Sequence, residues 1–248
     1  MKTSLKHIFR GGNAGLKVVD LTHPLDENIP IWPGDSEFKL AARASYEKDG
    51  YLTHSLAVGE HSGTHWSTPN TFVPGGRHAG MFTPQELVVP AVVMDIRAKT
   101  CQDRDYCLTV EDVTAWEAVY GEIPLGSLVV LFTGWQERWN DSCSFFGLDR
   151  ENTMHWPGFG RDAVIHLVEE RKIAGLGTDT HGIDPGNDGA FKASGAIFRA
   201  DKIVLECLAG LDGLPAVGAM LVIGGLPLNG GTGSPARVLG LLGLGRIY

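Results

Sequence analysis

The sequence has no excess of basic residues and no long apolar run. Its 248 residues include 21 Lys and Arg against 29 Asp and Glu, a formal net charge of −8. This balance argues against a nucleic-acid partner. No apolar stretch is long enough to cross a bilayer, and the first residues lack the apolar centre of a signal peptide. We therefore expect a soluble, cytoplasmic protein that binds neither nucleic acid nor membrane.

Several chemical motifs are also missing. The four cysteines contain no C-x-x-C pair, which favours reduced thiols over a disulfide framework or a zinc knuckle. The absence of G-x-S-x-G excludes the serine nucleophile of α/β-hydrolases. The segment "GGTGSPA" matches G-x-G-x-x-A, but it lies too close to the C-terminus for a βαβ unit, so we reject a dinucleotide site.

The apolar pattern predicts a mixed α/β fold around a mixed central sheet, in a single domain spanning 1–248. Two segments predict helices: "TVEDVTAWEAVYG", with Thr109 as N-cap and Gly121 as C-cap, and "GRDAVIHLVEERKIAG". Buried strands are predicted for five short apolar runs, namely "LVVPAVVMDI", "SLVVLFTG", "KIAGLGTD", "KIVLECLAG" and "AMLVIGG".

The loop "HSGTHWSTPNTF" carries the first chemical signal, a pair of histidines at His61 and His65. Gly63 and Pro69 make a regular helix across this loop unfavourable, so the loop itself must position both rings. Two histidines alone are a weak metal signal, because metals are typically held by three or four protein ligands. Local hydrogen bonding is the alternative interpretation.

Five ordered segments carry a family resemblance. They are "DLTHPLDENIPIWPGDSEF", the His61 loop, "GTDTHGIDPG", "IVLECLAGLDGLP" and "GGTGSPARVL", and they extend over nearly the whole chain. In this respect the protein resembles the cyclase superfamily to which bacterial kynurenine formamidase and isatin hydrolase belong. The resemblance implies a swivelling β/β/α fold, a homo-oligomer, and hydrolysis of a small amide or cyclic amide. It also implies a divalent metal, commonly zinc or manganese, which activates water and polarises a carbonyl.

The loop departs from the family pattern H-x-G-T-H-x-D-x-P-x-H. The two leading histidines are kept as His61 and His65, but Ser67 replaces the ligand aspartate and Thr71 replaces the histidine that serves as base. A neutral hydroxyl is a much weaker ligand for a dication than a carboxylate or an imidazole.

The second half of the implied site is altered as well. Glu206 in "VLECLAG" matches a ligand glutamate of the family, whereas the ligand histidine expected twelve residues earlier is Ser194. We therefore expect no cofactor. The alternative is a zinc or manganese ion on His61, His65 and Glu206.

Imidazole and carboxylate groups suffice for acid–base chemistry near neutral pH, so we predict that His65, Glu206 and His61 are the catalytic residues. His181 follows a predicted strand, a common place for functional groups in α/β sheets, and the aromatic residues near the motifs are either pocket or core residues. The predicted substrate pocket consists of Trp32, Trp66, Ser67, Thr71, Phe72, His181 and Ser194.

Three functions follow, in order of preference. The first is a metal-independent enzyme that forms, opens or rearranges a ring in a small biosynthetic substrate. The second is a metal-dependent hydrolase of a small amide, cyclic amide or lactone. The third is a non-catalytic protein that binds a small molecule on the same scaffold.

Overall fold

The computed structural model describes residues 15–243. It contains twelve strands: β1 (Lys17–Asp20), β2 (Lys39–Ala44), β3 (Thr53–Ala57), β4 (His65–Ser67), β5 (Val88–Asp95), β6 (Cys107–Leu108), β7 (Leu128–Phe132), β8 (Gly158–Phe159), β9 (Gly175–Thr178), β10 (Ile203–Glu206), β11 (Ala219–Gly225) and β12 (Gly233–Leu242). The α-helices are α1 (Tyr46–Asp49), α2 (Arg97–Thr100), α3 (Val110–Tyr120), α4 (Ser142–Phe145), α5 (Arg161–Glu169) and α6 (Lys192–Arg199).

The main sheet closes on itself. Strands β5, β7, β9 and β10 are parallel neighbours, and β11 and β12 extend this row in antiparallel fashion beyond β5. The short strand β4 pairs with both β10 and β12, which completes a ring of seven strands. Strand β1 adds to the outside of the ring by pairing with β12. The predicted mixed α/β fold with a mixed central sheet is confirmed.

The predicted elements are found where the sequence places them. All five apolar runs form strands of the main sheet, and both predicted helices are present as α3 and α5. Helix α3 begins with a capping box between Thr109 and Asp112 and ends at Gly121. The hairpin of β2 and β3, strand β12 and helix α6 were not predicted; the segments of the hairpin and of α6 have no continuous apolar run.

Alternating residues of the central strands face two apolar clusters, as the period of a strand requires. Val92 and Met94 of β5 pack with the apolar faces of α3, α5 and α6. Ala91 and Val93 lie on the opposite face of the same strand, where they pack with residues of β11 and β12. A third, aromatic-rich cluster lies apart from these two and includes Trp135, Trp139, Phe145, Phe146 and Trp156.

Two further features concern the cysteines and the lengths of the helices. The four cysteines are free thiols, and only Cys207 is buried. Within the described residues, no helix is both long and apolar enough to cross a membrane.

Candidate active site

His65 and Glu206 face each other across two strands. His65 opens β4, Glu206 ends β10, and the antiparallel register places the two residues directly opposite one another. Glu206 Oε2 lies 3.0 Å from His65 Nε2, while the side chains are 13% and 0% exposed, respectively. The two atoms are close but poorly aligned for a hydrogen bond, so the contact is an ion pair. The pairing of β4 and β10 therefore builds the centre of the site.

Each of the two residues shifts the pKa of the other. Burial, the largest single effect, lowers the pKa of His65, but the Glu206 carboxylate, the Gly63 carbonyl and Asp35 together raise it above its ordinary value. Burial is likewise the largest effect on Glu206 and raises its pKa, but His65, His181 and His61 together lower it below its ordinary value. The Nδ1–H of His65 donates to the Gly63 carbonyl at 2.8 Å, which fixes the ring. The pairing thus favours the protonated form of His65 and the carboxylate form of Glu206.

His61 lies beside this pair as a neutral ring. Its centroid is 5.3 Å from that of His65, in an edge-on arrangement. Burial, followed by the nearby His65, lowers the pKa of His61. Both of its ring nitrogens contact hydroxyl groups: Nδ1 is 3.1 Å from Ser67 Oγ, and Nε2 is 2.8 Å from Thr232 Oγ1.

Glu206 lines a cleft of about 350 Å³, whereas His65 is buried behind it. Within the described part of the chain, no Lys or Arg lines this cleft. Its apolar walls consist of Trp32, Phe72, Met154, Trp156, Pro185 and Phe191, and its polar side chains are Asp35, His61, Thr71, His181, Asp184, Asp188, Ser194 and Glu206. The cleft therefore suits a flat, apolar molecule that carries no negative charge.

His181 contributes an unpaired polar atom to the cleft. The residue is 6% exposed, and its Nε2 has no hydrogen-bond partner. Its ring lies 5.2 Å from Trp32 and 5.4 Å from Phe146. Burial, followed by the charge of His65, lowers the pKa of His181 to about 4. A buried polar atom without a partner costs about 1–3 kcal/mol.

Thr71 and Ser194 line the cleft, but protein atoms engage their hydroxyls. Thr71 donates to the Thr232 carbonyl at 3.0 Å, and Ser194 donates to Asp184 Oδ2 at 2.5 Å. The Asp184 carboxylate also accepts from the backbone N–H of Ala193 at 2.6 Å. Asp184 thus holds the first turn of α6 in place.

Two predicted pocket residues lie away from the cleft. Trp66 is fully buried in the core, where its indole N–H donates to Ser234 Oγ at 3.0 Å and its ring meets Phe82 edge-on. The reason is the alternation of side chains along β4, which directs Trp66 to the face opposite His65 and Ser67. Ser67 is 2% exposed and contacts His61 instead of the cleft.

Sequence reasoning missed several residues of this region. Thr232 contacts His61 and lies within "GGTGSPARVL", where the glycines on either side of a threonine were the available signal. Trp156 and Phe191 form cleft walls from segments without any recognisable motif.

The donor set does not fit a metal ion. Among residues 15–243, no group of three His, Cys, Asp or Glu side chains is arranged to hold one. A histidine ligand must direct a free lone pair at the metal, but both nitrogens of His61 contact hydroxyls and His65 is paired with Glu206. Ser67 and Ser194, which stand at two ligand positions of the family pattern, are bonded to His61 and Asp184.

Comparisons with known proteins identify the family of the chain. Residues 19–185 match the model of the Cyclase family, described as "Putative cyclase". The chain belongs to the cyclase family. It is 35% identical to isatin hydrolase of Roseibium aggregatum over 92% of each chain. It is 25% identical to kynurenine formamidase of Bacillus cereus, over 89% of this chain and 95% of the relative.

A solved structure of an isatin hydrolase bound to the product analogue thioisatinate superposes with a TM-score of 0.87. That chain is 33% identical and matches 92% of this chain and 93% of its own length. Membership of the cyclase superfamily, predicted from the ordered segments, is confirmed. The protein is an enzyme of the cyclase and hydrolase type within this superfamily.

Proposed function

We propose that this enzyme forms, opens or rearranges a ring in a small apolar substrate by acid–base chemistry without a metal. One observation carries the proposal: Glu206, paired with the buried His65, lines the cleft, while both ring nitrogens of the adjacent His61 contact hydroxyls. Imidazole and carboxylate groups together supply a base and the charge that keeps it deprotonated.

In this proposal Glu206 is the general base. The positive charge of His65 lowers the pKa of Glu206, so its carboxylate is free to accept a proton from a substrate N–H or O–H group or from a water. The protonated Glu206 then returns the proton to the atom that leaves the ring or closes it. His65 holds the carboxylate in place throughout, because its Nδ1–H is anchored on the Gly63 carbonyl.

The cleft supports a neutral cyclic substrate of one or two rings. Trp32, Trp156 and Phe72 supply flat apolar walls, and the unpaired Nε2 of His181 offers one hydrogen bond. The carboxylates at the cleft disfavour an anion. The similarity to isatin hydrolase, over 92% of each chain, supports a cyclic amide as the substrate class.

The alternative is a hydrolase that binds zinc or manganese on His61, His65 and Glu206. The closeness of these side chains favours it, since the two rings are 5.3 Å apart and Glu206 contacts His65. The hydroxyl contacts of His61 and the ion pair of His65 disfavour it. The non-catalytic binding protein is left without support, because the chain belongs to a family of enzymes.

The test combines elemental analysis with an activity screen. Protein purified without chelator is analysed for zinc and manganese, and is then assayed on neutral cyclic amides and lactones, isatin included, with and without EDTA. We expect sub-stoichiometric metal and turnover that survives EDTA. Stoichiometric metal, with activity lost to EDTA and restored by zinc or manganese, would establish the metal-dependent alternative.

We further propose that residues 1–248 form one swivelling β/β/α domain that assembles into a homo-oligomer in the cytoplasm. The pairing of β1 with β12 supports a single domain, because it joins the two ends of the described chain in one sheet. The hairpin of β2 and β3 supports an oligomer. Leu40 and Leu56 are each 56% exposed on it, and a second copy of the chain would bury this apolar surface. An isolated two-stranded hairpin is only marginally stable in water.

A further inference from the structure

Four side chains form a continuous chain of hydrogen bonds beside the cleft. Glu60 Oε2 is 2.5 Å from Thr232 Oγ1, and Thr232 Oγ1 is 2.8 Å from His61 Nε2. On the other side of the ring, His61 Nδ1 is 3.1 Å from Ser67 Oγ. Neither Glu60 nor Thr232 was predicted as a site residue.

When the His61 ring is neutral, the donors and acceptors in this series of hydrogen bonds can be assigned in only one way. A carboxylate only accepts, and a hydroxyl has one hydrogen to donate. Thr232 donates that hydrogen to Glu60, so its oxygen must accept the Nε2–H of His61. The Nδ1 of the neutral ring then carries a lone pair, which accepts the hydroxyl hydrogen of Ser67.

The backbone around Thr232 also helps to hold this series of hydrogen bonds in place. The Thr232 N–H also donates to Glu60 Oε2, at 3.0 Å, so two bonds hold the carboxylate. A Cβ on Gly231 would lie 2.9 Å from Glu60 Oε1, and a Cβ on Gly233 would lie 2.2 Å from the Trp66 carbonyl oxygen. Glycine at 233 is therefore needed for β4 to approach, whereas at 231 an added Cβ would first meet Leu228 Cβ, at 2.6 Å.

We propose that Glu60 and Thr232 are positioning residues that hold His61 as the Nε2–H tautomer. In this tautomer Nε2 carries a proton and the Nδ1 lone pair points to Ser67, so neither nitrogen is free to bind a metal. The neutral ring also places no second positive charge next to the ion pair of His65 and Glu206. The catalytic consequence rests on the proposed function, whereas the tautomer itself does not.

The tautomer is measured directly in the wild-type protein. Long-range ¹H–¹⁵N correlation spectra of ¹⁵N-histidine-labelled protein at pH 7.5 distinguish a protonated ring nitrogen from an unprotonated one, and His61→Gln identifies the His61 signals. We expect a protonated Nε2 and an unprotonated Nδ1. A protonated Nδ1, or protons on both nitrogens, would overturn the proposal without any further variant.

Two substitutions at Thr232 test whether its hydroxyl fixes the tautomer of His61. Thr232→Val keeps the shape but removes the hydroxyl, so His61 should lose its fixed tautomer; Thr232→Ser keeps the hydroxyl and should retain it. On a substrate found in the activity screen, Thr232→Val should lower kcat by about 10-fold or more, by analogy with metal-bound histidines, which lose about 10–100-fold when the group that orients the ring is removed. KM should change little, and Thr232→Ser should recover most of kcat. An unchanged tautomer in Thr232→Val contradicts the proposal.

These outcomes separate the two proposals. If His61 is the Nε2–H tautomer but activity requires zinc or manganese, only the proposed function fails. If activity survives EDTA and requires Glu206 but His61 shows another tautomer, only the positioning role of Glu60 and Thr232 fails.

Discussion

Glu206 lies directly opposite His65 in the register of β10 and β4, with 3.0 Å between Oε2 and Nε2. The backbone hydrogen bonds of two strands fix this relationship, so it does not depend on a mobile loop. The part of the Glu206 side chain that His65 does not cover lines the cleft. A carboxylate held by a buried cation at the wall of an apolar cleft is well placed to act as a base.

Glu206→Gln keeps the size of the side chain but removes its negative charge. We expect turnover to fall by about 10²–10⁴-fold, the usual effect of losing a general base. Measurements are turnover on the screened substrate and the melting temperature, which should show that the variant is folded. The matched control is Glu169→Gln on the exposed end of α5, which should behave as wild type. Normal turnover of Glu206→Gln would remove Glu206 from the mechanism.

His65→Ala removes the cationic partner instead. His65 is fully buried, so its loss leaves Glu206 as an unpaired charge in a largely dry site. We expect loss of most activity together with a decrease of about 3–5 kcal/mol in the free energy of unfolding, as for other broken buried pairs. Urea unfolding and turnover are the measurements. His65→Ala in the Glu206→Gln background should lose much less stability, and equal losses in both backgrounds would contradict the pairing.

The pH dependence of the reaction follows from the same pair. Glu206 must be deprotonated, and its pKa is lowered from 4.5, so activity should be lost only as the pH falls below 4.5. His65 must be protonated, and its pKa is raised from 6.5, so activity should be lost only as the pH rises above 6.5. We expect kcat/KM to be flat between these limits. An acid limb with its midpoint near 6.5 would assign the base to a histidine.

The sequence was sufficient to predict the pair but not its surroundings. His65 and Glu206 could be predicted because each lies in a short motif with a distinctive residue order. The positions of Trp66 and Thr232 could not be predicted in the same way. Strand β4 has only three residues, too few for an alternating pattern that would show which way Trp66 points. Thr232 meets His61 only because β12 closes the ring of strands onto β4, a pairing between distant segments.

Ser67→Asp should restore metal binding. A carboxylate here supplies the negative charge that a dication requires and removes the hydroxyl now bonded to His61 Nδ1. We expect zinc to bind the variant more tightly than wild type, as measured by calorimetry in chelator-free buffer. Because residue 67 is buried, the metal-free variant should melt at a lower temperature, and zinc should reverse this. Ser67→Asn has the same shape without the charge, and equal zinc binding by both variants would contradict the prediction.

His23→Phe should make the protein less sensitive to acid. The ring of His23 stacks on Trp139 at 4.1 Å and 8°, and its Nε2 is buried without a partner. Burial lowers the pKa of His23 from 6.5 to about 4. As the pH falls from 6.5 towards 4, the unfolded chain therefore binds a proton at this site that the folded protein does not, and stability is lost.

Phenylalanine keeps the stacked ring and removes both the unpaired nitrogen and the proton uptake. We expect His23→Phe to lose roughly 2 kcal/mol less stability than wild type between pH 7 and pH 4.5, a value reduced from the full linkage energy because His23 is partly exposed. Urea unfolding at these two pH values gives the comparison. His23→Gln should flatten the pH dependence to the same extent but be less stable at pH 7, because it loses the aromatic contact with Trp139. If the free energy of unfolding of both variants falls between pH 7 and pH 4.5 by as much as that of wild type, His23 is not responsible for the acid sensitivity.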